Sequence, residues 1–243
     1  MHRGAELETH YRVERIETRG SRAVGVHIKH RGRHHVLFAD HVVLAAGGLG
    51  TPRILENSGI TTDPTLFVDP VLCVAAEVPG ANQDTEIPMP FVARQGPALL
   101  SPYFDWLSFF FNRRWRFPSH NILSLMIKLA DTPMGHVTAK GVTQKTLTPA
   151  DHAHLDHAVQ TCHNVFTRLG ISPLQTFLGT LNAGHPGGTL ALTSTSCTTM
   201  HDSRLPQHFW VADSSLLPGP FGMPPILTVM ALAERIAKHI YNV

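Results

Sequence analysis

Apolar and polar positions alternate in short runs over the first sixty residues. Glu6–Thr9, Val24–Lys29 and His35–Phe38 are rich in β-formers and separated by the Gly20-Ser21 and Gly32 turns, a pattern that predicts a small antiparallel meander. Asp40–Ala46 (DHVVLAA) is a continuous apolar run, which predicts a strand buried on both faces of a parallel sheet and ending at Gly47-Gly48. Thr51 then caps a short helix with Pro52 at its first position, where the missing N–H costs nothing. From Thr61 to about Phe117 the prolines at 64, 70, 79, 88, 90, 97 and 102 forbid a long helix and predict loops and edge strands.

Beyond that segment the pattern sharpens. Ile122–Leu129 and Gly135–Thr146 read as strands around a Pro133-Met134-Gly135 turn. Thr148-Pro149-Ala150-Asp151 is a capping box, and Leu155, Ala158, Val159, Cys162, Val165, Phe166 and Leu169 follow at helical spacing until Gly170 closes the helix. His208–Ala212 is a short strand ending on Asp213. A last helix from Pro225 to about Tyr241 is apolar nearly all round as far as Ala233, so its start is expected to be buried and only its Lys238 end exposed.

Composition changes this picture little. With 243 residues, 43% hydrophobic and 16% charged, the chain can bury one large core or two modest ones. A formal charge of +2 and scattered basic residues offer no nucleic-acid surface. Cys73, Cys162 and Cys197 form neither a redox pair nor a zinc knuckle and read as free thiols of a reducing compartment, the cytoplasm by default. No signal peptide is visible, and no stretch reaches the ~20 apolar residues of a membrane span, so no membrane association is expected.

Three ordered segments carry more. They are VERIETRGSRAVGVHI with HVVLAAGGLGTPRILENSGI (residues 13–60), GHPGGT (184–189) and FWVADSSLLPGPFGMPPILTVMALAERIAKHI (209–240). As an ordered set they resemble the glucose-methanol-choline oxidoreductase family, and specifically its carboxy-terminal portion. The resemblance implies an α/β chain, α+β overall. Residues 1–60 and 181–243 would form parts of an FAD-binding domain with a parallel sheet and a meander. Residues 61–180 would form a substrate domain with an antiparallel sheet flanked by helices. The amino-terminal strand, GxGxxG turn and helix that seat the FAD diphosphate are not found here, and Gly48-Leu49-Gly50 is no substitute because Arg53 fills the position where close packing demands a small residue.

The family's activity is oxidation of an alcohol CH–OH group, which needs a base at the hydroxyl and flavin N5 at the carbon. His185, within the glycine-rich GHPGGT, is the implied base; its motif singles it out among 17 histidines. Asp213, with Ser214, resembles the aspartate that accepts from the ribityl chain, although an Asp at a strand end also serves as a turn cap. Pro224, Pro225 and Ile226 begin the helix whose N-terminus would face the flavin pyrimidine edge. Val13 matches the adenine contact, and Ala46 and Gly47 lie near the same end. Pro224 departs from the family's Asn or His, so either another polar group holds the substrate hydroxyl or its stabilisation is weaker.

Other features read more plainly. His152, His154 and His157 lack a third ligand and form a solvated helix face, so no metal is expected. Phe104–Phe111 with Arg113, Arg114 and Arg116 read as core packing of the substrate domain; a lid over an apolar alcohol or a membrane-surface anchor are the other readings. The expected partners are a small-molecule alcohol, apolar if the lid reading holds, and an FAD-binding segment or subunit carrying the diphosphate seat. Two alternatives stand beside the enzyme: a truncated or decayed fragment without activity, and a non-catalytic substrate-binding module.

Overall fold

The computed structural model describes residues 4–241. The chain opens on an antiparallel meander of β1 (Tyr11–Arg19), β2 (Arg22–His30) and β3 (Arg33–Phe38), in that spatial order. The first strand lies at Tyr11–Arg19 and not at Glu6–Thr9, which is irregular. Register shifts between Val13 and Arg15 and between Glu17 and Thr18 break the period-two alternation of β1 and hide it from a pattern reading. Cross-strand pairs supply what the alternation lacks: Tyr11 stacks on His30 with ring centroids 4.3 Å apart, and Glu17 meets His27.

Next come β4 (Val42–Leu44) and α1 (Gly47–Asn57). The helix starts four residues before the expected Thr51, and Pro52 lies inside it. A tertiary contact dictates this early start. Gly48 packs so closely on the Pro186 backbone that a Cβ there would sit 2.0 Å from the Pro186 carbonyl oxygen. Thr51 does not cap; its hydroxyl accepts from Ala46 N at 3.2 Å and donates to Asp213 Oδ2 at 2.5 Å.

The middle of the chain contributes β5 (Pro70–Glu77), β6 (Ala93–Gln95), β7 (Ala98–Pro102), α2 (Trp106–Phe111), β8 (Ile122–Leu129), β9 (Gly135–Val137), β10 (Thr143–Lys145), α3 (Pro149–Arg168), β11 (Thr176–Leu178) and β12 (Asn182–Ala183). A six-stranded sheet runs β11-β5-β8-β7-β6, with β12 also paired to β5. The expectation of loops and edge strands before residue 117 is thereby corrected: β5 and β7 are interior strands. Pro70 opens one and Pro102 ends the other, positions at which a missing N–H removes no essential ladder bond. The expected single strand at 135–146 is a short hairpin of β9 and β10.

Period-two burial gives the sheet two apolar faces. Val74, Ala76, Ile127 and Leu129 meet Leu155, Ala158, Cys162 and Phe166 of α3. Cys73, Ala75, Leu99 and Met126 face Phe104 and Trp115 on the other side. The capping box of α3 is present in both directions, as its sequence predicts. α2 departs from the core-packing reading. Asp105 caps it, and Phe110 and Phe111 are 67% and 79% exposed.

The chain returns through α4 (Ser196–Thr199) and β13 (Phe209–Val211) to α5 (Ile226–Tyr241). β13 pairs with β4 in parallel, Trp210 opposite Val43. Their core combines Ile16, Leu44, Ile54 and Leu55 with Leu190, Phe209, Leu216 and Ile236, so both ends of the chain share it. Two burial expectations fail here. Val43 is exposed, because β4 has a covered face on one side only, and α5 is open at its start, with Leu227 79% exposed, while Ile236 near its end is buried. Among the described residues no helix is long and apolar enough to cross a membrane.

Candidate active site

One wall of the site is set by strand register. Val71 of β5 lies opposite Lys128 of β8 on one side and Asn182 of β12 on the other. In β8 the residues Ile127 and Leu129 turn to α3, so Lys128 falls on the opposite face with Met126. After β12 the chain runs beside the segment that enters β5. Gly184 N donates to Asp69 O at 3.2 Å, His185 N to Val68 O at 3.0 Å and Gly187 N to Phe67 O at 3.0 Å. This ladder turns His185 into a cavity of about 420 Å³ that Pro224 and Ile226 also line. Val71, Met89, Leu107 and Met126 make the cavity largely apolar; Tyr103, Asp105, Lys128 and Asn182 supply its other polar groups.

Beneath His185 lies a buried ion pair. Lys128 Nζ is 2.5 Å from Asp69 Oδ2, and each side chain is 1% exposed. Burial pushes the Asp69 carboxyl up and the Lys128 ammonium down, and their mutual hydrogen bond opposes both shifts. His185 Nδ1 stands 3.7 Å from the same Oδ2 and has no hydrogen-bond partner. Burial, and then the Lys128 charge, hold the His185 imidazole below its ordinary range. It is therefore neutral near pH 7 and able to accept a proton.

A second cluster abuts the first. Asp213 Oδ2 accepts from Gly47 N at 3.0 Å and from Thr51 Oγ, and its Oδ1 accepts from Ser215 N at 2.8 Å. It thus ties the N-terminus of α1 to the turn after β13 and also caps that turn. Ser214 Oγ donates to Pro186 O at 2.7 Å, and Gly188 N donates to Ser214 O at 3.1 Å. Ala46, Gly47, Asp213 and Ser214 are therefore linked to the loop that carries His185, and Pro224 and Ile226 line the same cavity as His185, with Pro225 buried between them in sequence. Val13 stands apart on β1, its carbonyl accepting from Arg53 at 3.4 Å, and reaches the cluster only through α1.

Asp69, Lys128, Tyr103 and Asn182 are cavity or near-cavity groups that the motifs did not reveal. Only Lys128 leaves a trace in the sequence, as the single charge in the apolar strand ILSLMIKL. Among the described residues no three His, Cys, Asp or Glu side chains are grouped to hold a metal ion.

Comparison with known proteins follows the same outline. The GMC oxidoreductase family model matches residues 1–80. A 2-methyl-1,2-propanediol dehydrogenase of Mycolicibacterium austroafricanum is 48% identical over 57 residues, 23% of this chain and 10% of that protein. An uncharacterized GMC-type oxidoreductase of Mycobacterium tuberculosis is 26% identical over 97% of this chain and 45% of its own length. An uncharacterized protein of Methanocaldococcus jannaschii is 24% identical over 83% of this chain and 53% of its own. The chain thus spans about half the length of the relatives that it matches most fully. In fold it is similar to pyridoxine 4-oxidase from Mesorbium loti, with a TM-score of 0.68 at 17% identity over 96% of this chain and 57% of that one. By these matches, and by the ordered motifs that its fold brings together, the chain is similar to the glucose-methanol-choline oxidoreductases.

Proposed function

We propose that the chain is the carboxy-terminal portion of an FAD-dependent oxidoreductase that oxidises the CH–OH group of an alcohol, with His185 as the base. The carrying observation is the cavity lined both by His185 and by Pro224 and Ile226 at the start of α5. Oxidation of an alcohol breaks an O–H and a C–H bond. His185 receives the proton; its neutral imidazole suits that role. FAD, when bound, supplies the acceptor for the hydride that leaves the carbon.

The residues fit such a group. Gly47 has φ 75° with open space where a side chain would stand, next to exposed Ala46. The α5 start offers backbone N–H groups, the positive end of a helix and the exposed side chains of Ile226 and Leu227, a match for an aromatic ring that gains negative charge along one edge. Ala46, Gly47, Ser214, Pro224, Pro225 and Ile226 would hold the flavin, and Val13 the adenine end. Asp213 has three protein donors and about four acceptor sites. It fixes the Gly47 turn and keeps one acceptor site for a ribityl hydroxyl. The largely apolar lining favours a small hydrophobic alcohol. The partner in this reading is a polypeptide segment carrying the diphosphate seat.

Co-expression of the chain with the amino-terminal segment of a GMC-type relative tests this. Flavin should stay with the complex through gel filtration and bleach anaerobically with an alcohol. His185→Gln should keep the flavin and slow bleaching by about 100- to 10,000-fold. Bleaching at the wild-type rate removes His185 from the reaction.

A further inference from the structure

We propose that Lys128 is the cationic group that meets the alcohol oxygen beside His185, and that Asp69 is the positioning residue that holds both. This inference rests on the reading of the cavity as an alcohol-oxidising site. Four observations carry it.

First, the ion pair stands where an apolar pair would serve packing as well. Lys128 and Asp69 are each 1% exposed on a sheet face otherwise made of Cys73, Ala75, Leu99 and Met126, and replacing such a pair by apolar groups of similar volume is often neutral or stabilising. Second, Asp69 holds an unusual backbone. Its φ is 46°, in the left-handed region that a non-glycine residue adopts only when its surroundings impose it. The Asp131 carboxylate imposes it, accepting from Asp69 N at 2.8 Å and Val68 N at 3.1 Å while Lys145 balances its charge at 2.6 Å.

Third, the Asp69 carboxylate is only partly used. Oδ2 is shared by Lys128 Nζ and His185 Nδ1, which places those nitrogens within the sum of 2.5 and 3.7 Å of each other; His185 Nδ1 is buried without a hydrogen-bond partner, and Oδ1 makes no hydrogen bond of good geometry although the Gly222 N–H acts on the same carboxylate. A small rotation of the imidazole closes an Nδ1–H to carboxylate bond and leaves the Nε2 lone pair on the cavity side. Fourth, Pro224 in the cavity wall has no side-chain donor to offer, and Lys128 is the one cationic side chain among the lining residues. An ammonium has three donors, and Asp69 takes one.

The chemistry balances. As the alcohol O–H bond breaks, its proton passes to Nε2 and the oxygen carries the negative charge. That charge lies against the ammonium, which keeps its own protons. It would disappear as the C=O bond forms, FAD, when bound, supplying the acceptor for the hydride that the C–H bond releases.

The test needs no flavin. Benzoate has an anionic oxygen on an apolar body and should shift the imidazole resonances of His185 in the chain as it is. Lys128→Met should weaken benzoate roughly 10- to 100-fold and raise the His185 titration midpoint. Asp69→Asn should lower that midpoint; both midpoint shifts follow from the removed charges alone, so the loss of benzoate affinity is the readout that a merely structural pair would not produce, with Asp105 and Tyr103, the other titratable groups of the cavity, unchanged. Should either single variant fail to fold, the double variant Asp69→Asn with Lys128→Met leaves no unpaired charge buried and should fold yet bind benzoate as weakly as Lys128→Met. Wild-type benzoate affinity in the double variant overturns this inference alone. Wild-type bleaching by His185→Gln in the flavin-loaded complex overturns both this inference and the reading beneath it.

Discussion

The two cores of the molecule close in different ways. The six-stranded sheet is covered on both faces, by α3 on one and by the Phe104 and Trp115 cluster on the other. The parallel pair of β4 and β13 is covered on one side only, which leaves Val43 open, and the apolar start of α5 is open as well. Resistance to unfolding should therefore concentrate in the sheet, and binding should concentrate where the open core meets it, at His185 and Pro224. The largest expected difference is between two apolar truncations. Phe166→Ala removes a fully buried ring between α3 and the sheet and should cost about 3–5 kcal/mol in urea denaturation. Leu227→Ala, on the open start of α5, should fall within about 0.5 kcal/mol of wild type. Equal losses would break the comparison.

A smaller effect sharpens it. Asp213→Ala withdraws the acceptor of Gly47 N, Thr51 Oγ and Ser215 N, and should cost about 1–3 kcal/mol. Because those bonds join α1 to the β13 turn, amide exchange at Gly47 and Ser215 should speed up while exchange along β5 and β8 keeps its wild-type rate. Faster exchange in both regions would mean that the two cores unfold as one unit.

The same division governs what the sequence discloses. β8 is legible to the residue, because an apolar segment broken only by Ser124 and Lys128 is of strand length and lies between turn signals, and α3 is legible because its capping box and helical spacing agree. β1 is hidden by its two register shifts, β5 by the proline that opens it, and the open start of α5 by an apolar pattern that specifies burial without saying what covers it. At the site, His185, Asp213 and Pro224 to Ile226 lie in segments whose order gives them away. Lys128 and Asp69 do not, since nothing in a strand names a partner 59 residues distant, and the positive φ of Asp69 is imposed by Asp131 from another part of the chain.

The smallest effect concerns the cap of α3 and its dependence on pH. Thr148 Oγ accepts from Asp151 N at 3.1 Å, and Asp151 accepts from Thr148 N at 2.8 Å and from Thr132 N at 3.0 Å. Burial works to raise the Asp151 carboxyl, but these bonds from Thr148 and Thr132 outweigh it and hold the group below the usual carboxylate range. A carboxyl depressed in the folded state stabilises fully above its unfolded value of about 3.9 and loses that contribution as pH falls through its lower folded value. Thr148→Ala should cost about 1 kcal/mol at neutral pH. Asp151→Asn should cost a similar amount there, and its deficit should shrink as the pH is lowered below about 4, where the wild-type carboxyl also becomes neutral. Because α3 covers only the sheet, both losses should appear in denaturation followed through that region. A deficit for Asp151→Asn that is the same at pH 3 and pH 7 would mean that the residue serves the helix through its shape and not through its charge.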